Sequence, residues 1–508
     1  MHAAPSEDHT QKAGTKEWIG LAVIALPCLL YAMDLTVLNL AIPTISEDLK
    51  PSSSQLLWIV DIYGFMVAGM LITMGNLGDR IGRRRLLLIG AGAFGTASVL
   101  AAFSTTAEML IFNRALLGIA GATVAPSTLS LIRNMFHDEK QRTFAIGIWI
   151  TSYSVGGAIG PLVGGLLLQY FWWGSVFLAN VPVMILLLIV APKFLPEFKD
   201  PAAGRIDLVS ALLSLSCVLL IILGLKLIAE DGVHVFPLIA IVIGSFIGYI
   251  FIQRQKKLAD PLLDLNLFRG SSSFGILLSM NLLAVFTTFG CYVFISQYLQ
   301  LVLGLSPLVA GLWTLPWSVG FIVGSMLTPK LANRFRKTTV MAGGLILAAL
   351  GFVVLAKADA WGLVSIVGSS ILFSFGLAPL FTLITDMILS AVPPERAGAA
   401  GALSETSSEF GGAIGIAILG SIGTAVYRLQ IQEKVPAVLT SEDTETVKST
   451  IGGALTVAER LQGSLGQSIV NISKTAFTNS LVVMAVISAL MSIALALVVL
   501  YRFRERTS

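Results

Sequence analysis

The chain has 508 residues, of which 55% are apolar and only 12% charged, and a mean hydropathy of +0.85; soluble domains carry about 25% charged residues. A water-soluble protein is excluded. With roughly 20 residues per span plus short loops, the length fits about twelve to fifteen membrane helices, so the expected class is an all-α polytopic membrane protein.

Residues 1–17 are polar, and the apolar run after them holds Asp34 and no small-residue cleavage site. The first helix is therefore expected to stay in the protein. Apolar windows predict spans at about 18–42, 56–77, 86–104, 107–132, 143–168, 174–195, 207–228 and 236–253. Six more follow at about 273–300, 306–329, 338–357, 361–391, 397–427 and 475–501, which makes fourteen.

Basic residues in short loops stay on the cytoplasmic side. One set of alternate loops holds Arg80, Arg83, Arg84, Arg85, Arg133, Lys140, Arg142, Lys193, Arg205, Arg254, Lys330, Arg334 and Arg396 among others, and the short loops of the other set hold Lys50 and Lys357. Both termini are expected in the cytoplasm, the second fixed by Arg502, Arg504 and Arg506. The long connection, about 428–474, then lies outside. Its amphipathic stretch Ile451–Leu461 leaves two options, a solvated linker or an ordered hairpin on the extracellular mouth.

The halves repeat. Leu77-Gly78-Asp79-Arg80 recurs as Leu331-Ala332-Asn333-Arg334, Arg142-x4-Gly147 as Arg396-x4-Gly401, and Gly156-Gly157-Ala158-Ile159-Gly160 unchanged as Gly411-Gly412-Ala413-Ile414-Gly415. Three matches in register set helices 1–6 against helices 9–14, with helices 7 and 8 as an insertion. The predicted organisation is a tail (1–17), a six-helix bundle (18–195), a linker with two inserted helices (196–270), a second bundle (271–501) containing the outer loop 428–474, and a tail (502–508). The inserted pair has no acid in its apolar core and is read as linker or packing.

Cys28, Cys217 and Cys291 lie in apolar runs without metal-ligand spacing and read as core fillers. His2, His9, His137 and His234 all fall outside the apolar runs, so no imidazole in the membrane could ligate haem or relay protons. No Walker loop is present, and an enzymatic function has no support. No metal and no cofactor is expected, and the energy must come from elsewhere.

A charge at mid-membrane costs about 2.5–3.5 kcal/mol, so each one is a functional candidate. Asp34 sits within the first span, Asp61 about 10 Å or less from the outer end of the second, and Arg114 at a comparable outer depth on the fourth. Two acids sharing one base leave a site for a proton or a cation; the alternative is a fixed pair of Arg114 with one aspartate. Glu405 and Glu409 stand four apart, on one face of helix 13. Like charges at that spacing repel, which suits proton exchange; alternatively both are neutral and bonded to Ser404, Thr406, Ser407 or Ser408. Asp386 and Lys226, near helix ends, read as cap-forming or snorkelling groups. Trp172 and Trp173 read as an interfacial belt.

The loop Gly75-Asn76-Leu77-Gly78-Asp79-Arg80-Ile81-Gly82-Arg83-Arg84-Arg85 resembles the G-x-L-x-D-R-x-G-R/K motif of the major facilitator superfamily. Glycines there allow a tight turn, and Asp79, with Arg80 and Arg83 beside it, can form a cytoplasmic latch that breaks when bundles rock. Asn113-Arg114-x3-Gly118-x2-Gly121 resembles the family's membrane arginine motif, and Gly156-x3-Gly160-Pro161-x2-Gly164-Gly165 its antiporter motif. Asp34-Leu35-Thr36-Val37-Leu38-Asn39-Leu40-Ala41-Ile42-Pro43 is similar to the D-x-T-x-x-N-x-A-x-P motif of the fourteen-helix drug:proton antiporters. Trp58–Tyr63 and Ser404-Glu405-x3-Glu409-x-Gly411 look like the matching segments of QacA-like and SmvA-like exporters.

This resemblance implies two six-helix bundles plus two inserted helices in a bacterial cell membrane, acting as a monomer with no nucleic-acid partner. It implies proton-driven efflux of lipophilic cations such as quaternary ammonium antiseptics and dyes. Protonation and cation recognition would fall to Asp34, Asp61, Glu405 and Glu409, and proton coupling to Arg114. Leu315–Phe321 lacks the acid that some members carry in helix 10, so no dedicated countercharge for divalent cations is implied. Candidate aromatic contacts are Tyr31, Tyr63, Phe286, Phe289, Tyr292, Trp313, Trp317, Phe381 and Phe410. Two other readings stay open: export of another metabolite or peptide on the same fold, and a non-transporting sensory or lipid-regulating membrane protein.

Overall fold

The computed structural model describes residues 12–199, 207–258, 260–270, 272–432, 434–436, 438–461 and 463–503. His2, His9, Arg205, Arg504, Arg506 and most of both tails lie outside the described residues. Among the described residues there is no strand, and fourteen helices are long and apolar enough to cross a membrane. The first eight are α1 (Thr15–Leu49), α2 (Ser53–Ile81), α3 (Arg83–Ala102), α4 (Ala107–Met135), α5 (Glu139–Tyr170), α6 (Ser175–Phe194), α7 (Leu208–Asp231) and α8 (Val235–Gln255). The last six are α9 (Ser273–Val302), α10 (Pro307–Arg334), α11 (Lys337–Leu355), α12 (Leu363–Ser390), α13 (Ala397–Gln432) and α14 (Gly463–Arg502).

Local chemistry sets several starts. Ser52 accepts from the Gln55 amide, Asp138 from Gln141, Asp207 from Val209, and Ser306 from Val309 with Pro307 next in line. Inside α4 the helix breaks between Gly121 and Val124. Pro126 explains this, since its ring cannot accept the carbonyl of Ala122 within a regular helix.

Helices α1–α6 form one bundle and α9–α14 the other. In the first, α1 packs on α5, α2 on α4, and α3 on α4 and α6; in the second, α9 packs on α13, α10 on α12, and α11 on α12 and α14. The sequence repeat is a packing repeat. A Cβ on Gly156 would strike the Leu29 carbonyl and one on Gly160 the Thr36 hydroxyl, so α5 lies directly on α1. On the other side Gly411 meets the Leu282 carbonyl and Gly415 that of Phe286. The bundles meet along α5 with α10 and along α2 with α13.

The inserted pair packs on itself and sets α7 against α2 and α13. Gly69 leaves room for Leu215, and Phe65, Ala68, Val218 and Ile222 share one small core.

The connection between α13 and α14 is shorter than expected because α13 runs to Gln432 and α14 starts at Gly463. The first turns of α14 carry Gln467, Asn471 and Lys474, which form helix but fall outside any apolar window. Of the two options the structure has the ordered hairpin, with helices Ser441–Ser449 and Ile451–Leu461. Ile451, Ala454, Val457 and Ala458 are buried, Tyr427 donates its hydroxyl to the Val447 carbonyl at 3.0 Å, and Arg460 pairs with Asp443. The aromatic belt needs one correction: Trp172 is exposed, but Trp173 is buried and donates to Asp48 at 2.7 Å.

Candidate functional site

A cavity of about 1450 Å³ lies between the bundles. Its wall includes Gly232 and Val233 from the α7–α8 turn and Ser449–Gly452 from the hairpin, so it opens on the face opposite the chain termini. Its charged lining is Asp61, Arg114, Lys226, Glu405, Glu409 and Arg428.

The three charges of the first bundle do not share one site. Asp34 is buried; it accepts from Arg114 Nη1 at 3.0 Å and from Asn180 of α6 at 3.2 Å. Arg114 is 1% exposed, donates Nε to the Ile59 carbonyl at 2.8 Å, and lies 5.1 Å from the Tyr63 ring centre. The rigid guanidinium fork thus ties α1, α2 and α4 together. Asp61 instead pairs with Lys226 of α7, whose ammonium also lies 5.2 Å from the Phe65 ring centre. Lys226 is therefore no snorkelling residue, and the inserted pair does more than link.

Glu405 and Glu409 both face the cavity, and neither has a hydrogen-bond or ion-pair partner among the described residues. Three of the four hydroxyls that could serve as their partners are engaged elsewhere. Thr406 donates to the Ala402 carbonyl at 2.7 Å, Ser408 to that of Ser404 at 3.2 Å, and Ser407 to that of Leu278 at 3.1 Å. Asn281 of α9 donates to Ser407 and Ser408, which fixes this stretch of α13 beneath the two acids.

Of the nine aromatic candidates, Tyr31 and Phe289 line the cavity. Tyr63 sits behind Tyr31, their ring centres 5.9 Å apart. Tyr292 and Trp317 meet edge to face with ring centres 4.8 Å apart within the second bundle, and Phe381 lies 5.7 Å from Phe321. Phe410 packs on the α7 core and Phe286 within the second bundle; with Tyr292, Trp313, Trp317 and Phe381 they stand off the cavity lining. Tyr153, Phe65 and Phe294 line it instead.

The face of the termini is shut. Gly82, at φ 111°, turns α2 into α3. Arg83 is fully buried, pairs with Asp79, and lies where a side chain on Gly398 of α13 would have to go. Gly75 lets α2 meet Ala402 and the Gly398 carbonyl, and Arg80 is half-buried alongside. Glu197 accepts from the Arg84 and Arg85 amides at 3.1 Å, capping α3. A second closure joins α5 to α11 and α12. Asp386, 0% exposed, accepts from Arg142 at 2.7 Å, Lys337 at 2.7 Å and Thr143 at 3.1 Å. Asp386 is thus an inter-bundle acceptor rather than a helix cap. In the antiporter motif, Gly156, Gly160 and Gly164 pack on α1, Pro161 lies inside α5, and Gly165 faces open space.

Residues 24–416 match the Major Facilitator Superfamily. The chain belongs to this superfamily. It is a transporter rather than an enzyme, and a multi-pass protein of the cell membrane. It is 43% identical to the multidrug efflux pump LfrA of Mycolicibacterium smegmatis over 98% of each chain. It is 36% identical to the methyl viologen resistance protein SmvA of Salmonella typhimurium, covering 91% of this chain and 93% of that one. The crystal structure of the human organic anion transporter MFSD10 superimposes with a TM-score of 0.60 at 15% identity, over 92% of this chain and 99% of the other, and shares the fold.

From the sequence Lys226 and Asp386 have only helix-end roles, snorkelling or capping, and Asn180 is not singled out, whereas in this major facilitator chain all three pair with charged groups between helices. The first two carried a signal, a charge within an otherwise apolar run, and position near a helix end disguised it. Asn180 is a neutral amide with nothing in its neighbourhood to mark it.

Proposed function

We propose that this transporter exports lipophilic cationic drugs and antiseptics of the quaternary ammonium type in exchange for protons. The observation that carries the reading is the pair Glu405 and Glu409, both without a hydrogen-bond or ion-pair partner among the described residues and both facing a large cavity with Tyr31 and Phe289 on its wall. Carboxylates supply the countercharge and aromatic faces attract the cation. Deprotonated, the pair holds the drug; protonated, it releases it, so the two occupancies exclude each other. The names of the relatives, a multidrug efflux pump and a methyl viologen resistance protein, support the substrate class.

The basic loops make the face of the termini cytoplasmic. The shut latch at Asp79 and Arg83 and the open cavity on the far side then correspond to the outward-open state, in which external protons displace the drug. Residues 18–195 and 271–501 are the rocking units of a monomer, and 196–270 the insert. Arg114, held by Asp34, is the coupling pair: a proton on Asp34 releases the guanidinium and loosens α1 from α4.

The test is proton release from the purified protein in weak buffer on adding ethidium or benzalkonium. Wild type releases protons, and Glu405→Gln with Glu409→Gln abolishes the signal while the protein still elutes as a folded species. Undiminished release from the double variant overturns the assignment.

A further inference from the structure

We infer that Lys226 is a built-in rival of the substrate: its ammonium occupies Asp61 and sets which cation charge the cavity accepts. The inference rests on the cavity being a cation site. Lys226 makes the two contacts that a quaternary ammonium would seek there, a carboxylate on Asp61 and the face of Phe65 at 5.2 Å. A substrate cation near Asp61 competes with it for both.

Two of the three bases on the lining, Arg114 and Lys226, are built differently. Arg114 is a planar fork held by Asp34 and two backbone carbonyls, those of Ile59 and Val60, so an incoming cation does not displace it. Lys226 is a point charge on a flexible stem with its side chain 34% exposed, and Asp61 is its one ion-pair partner among the described residues. It can swing toward the open mouth and release Asp61 to an incoming cation. Lys226 and Glu409 line the same cavity, so the position of the ammonium changes the countercharge that both bundles present. The helix that delivers it lies between α2 and α13, where the two bundles meet.

Charge discrimination follows. Lys226 offsets one of the three acids on the lining, Asp61, Glu405 and Glu409. With it neutralised the cavity gains one negative charge. A monocation feels that charge once and a dication twice, so a gain of about tenfold for the first becomes up to about a hundredfold for the second.

The experiment measures binding of ethidium, a monocation, and decamethonium, a dication, to the full-length protein in nanodiscs. Lys226→Gln is expected to tighten both and to raise the preference for decamethonium severalfold, whereas Lys226→Arg, which keeps the charge, retains the wild-type preference. Asp61→Asn, which strands the ammonium, weakens both ligands, and Lys226→Gln added to it restores much of the loss. This double variant also reads out the pair if Lys226→Gln alone folds poorly. An unchanged preference in Lys226→Gln, with cation binding and proton release intact, overturns the inference and leaves the export reading standing. A wild-type protein that binds neither cation overturns both.

Discussion

Replacing Asp386 with alanine should open the latch on the face of the termini. Asp386 takes Arg142, Lys337 and Thr143 at 2.7, 2.7 and 3.1 Å while being fully buried. Its removal leaves Arg142, 6% exposed, with Ser390 at 2.9 Å. Lys337 keeps Glu139 at 2.6 Å and is partly exposed, so it contributes less. Removing one partner of a buried ion pair costs about 3–5 kcal/mol, chiefly for the charge left behind. With Lys337 discounted, the lower end applies, about 3 kcal/mol. That penalty exists only while the bundles are closed here, because separation gives Arg142 water. The equilibrium between closed and open should therefore move by about two orders of magnitude toward open. Spin labels at His137 and Phe335, in a background with Cys28, Cys217 and Cys291 replaced by serine, report the gap by pulsed electron resonance. Wild type should give mainly the short distance and Asp386→Ala mainly the long one. An unchanged distribution would show that the latch holds without this acid and refute the reasoning.

Two further outcomes are expected. Gly156→Val drives a side chain into the Leu29 carbonyl, whereas Gly157→Val, one residue on, meets open space. The first should cost about 1–3 kcal/mol and lower the unfolding temperature by several degrees, the second should not, and equal shifts would sink the close-contact account of the α1–α5 interface. At the start of α7, the hydrogen bonds of Arg254 and then Ser210 hold the Asp207 carboxyl down at about 2, against an ordinary 3.8. Because the folded value is depressed, this contribution to stability is present above about 3.8 and is lost as pH falls toward 2. The gap in unfolding temperature between wild type and Asp207→Asn should be level from pH 7 to pH 5 and narrow below pH 4. A gap that ignores pH would mean that the pair is not formed in solution.

The scaffold was legible because hydropathy and glycine spacing are local properties of the chain. The run from Gly75 to Arg85 announces a tight turn, and the structure has Gly82 at positive φ and Arg83 buried where α13 begins. The repeated pentapeptide announced a shared packing device, and Gly156 and Gly411 lie on equivalent backbone carbonyls. Pairing was far less legible. Asp34, Asp61 and Arg114 share a depth, but depth does not say which helix faces which, and Lys226 took Asp61 from a helix more than a hundred residues away. The aromatic candidates illustrate the same limit. Tyr292, Trp317 and Phe381 have the right chemistry, yet their helices turn them onto other rings.

The two bundles share their packing but not their chemistry. At the offset set by the pentapeptide, Glu409 falls on Ser154 and Glu405 on Ile150, so neither acid has a counterpart in the first bundle. The first bundle holds its buried carboxylate neutralised, with Asp34 bonded to Arg114 and Asn180, while the second leaves two carboxylates facing the cavity without a hydrogen-bond or ion-pair partner among the described residues. Duplicated glycines explain this division. A stripe that seats one helix on another's backbone must be kept in both halves or the bundle does not close, whereas a residue facing an open cavity touches little and can differ freely. Lys226 extends the same logic: it reaches the cavity from a pair of helices outside the repeat altogether. The asymmetry of charge is set on a symmetric frame, so the two walls of one cavity carry different groups.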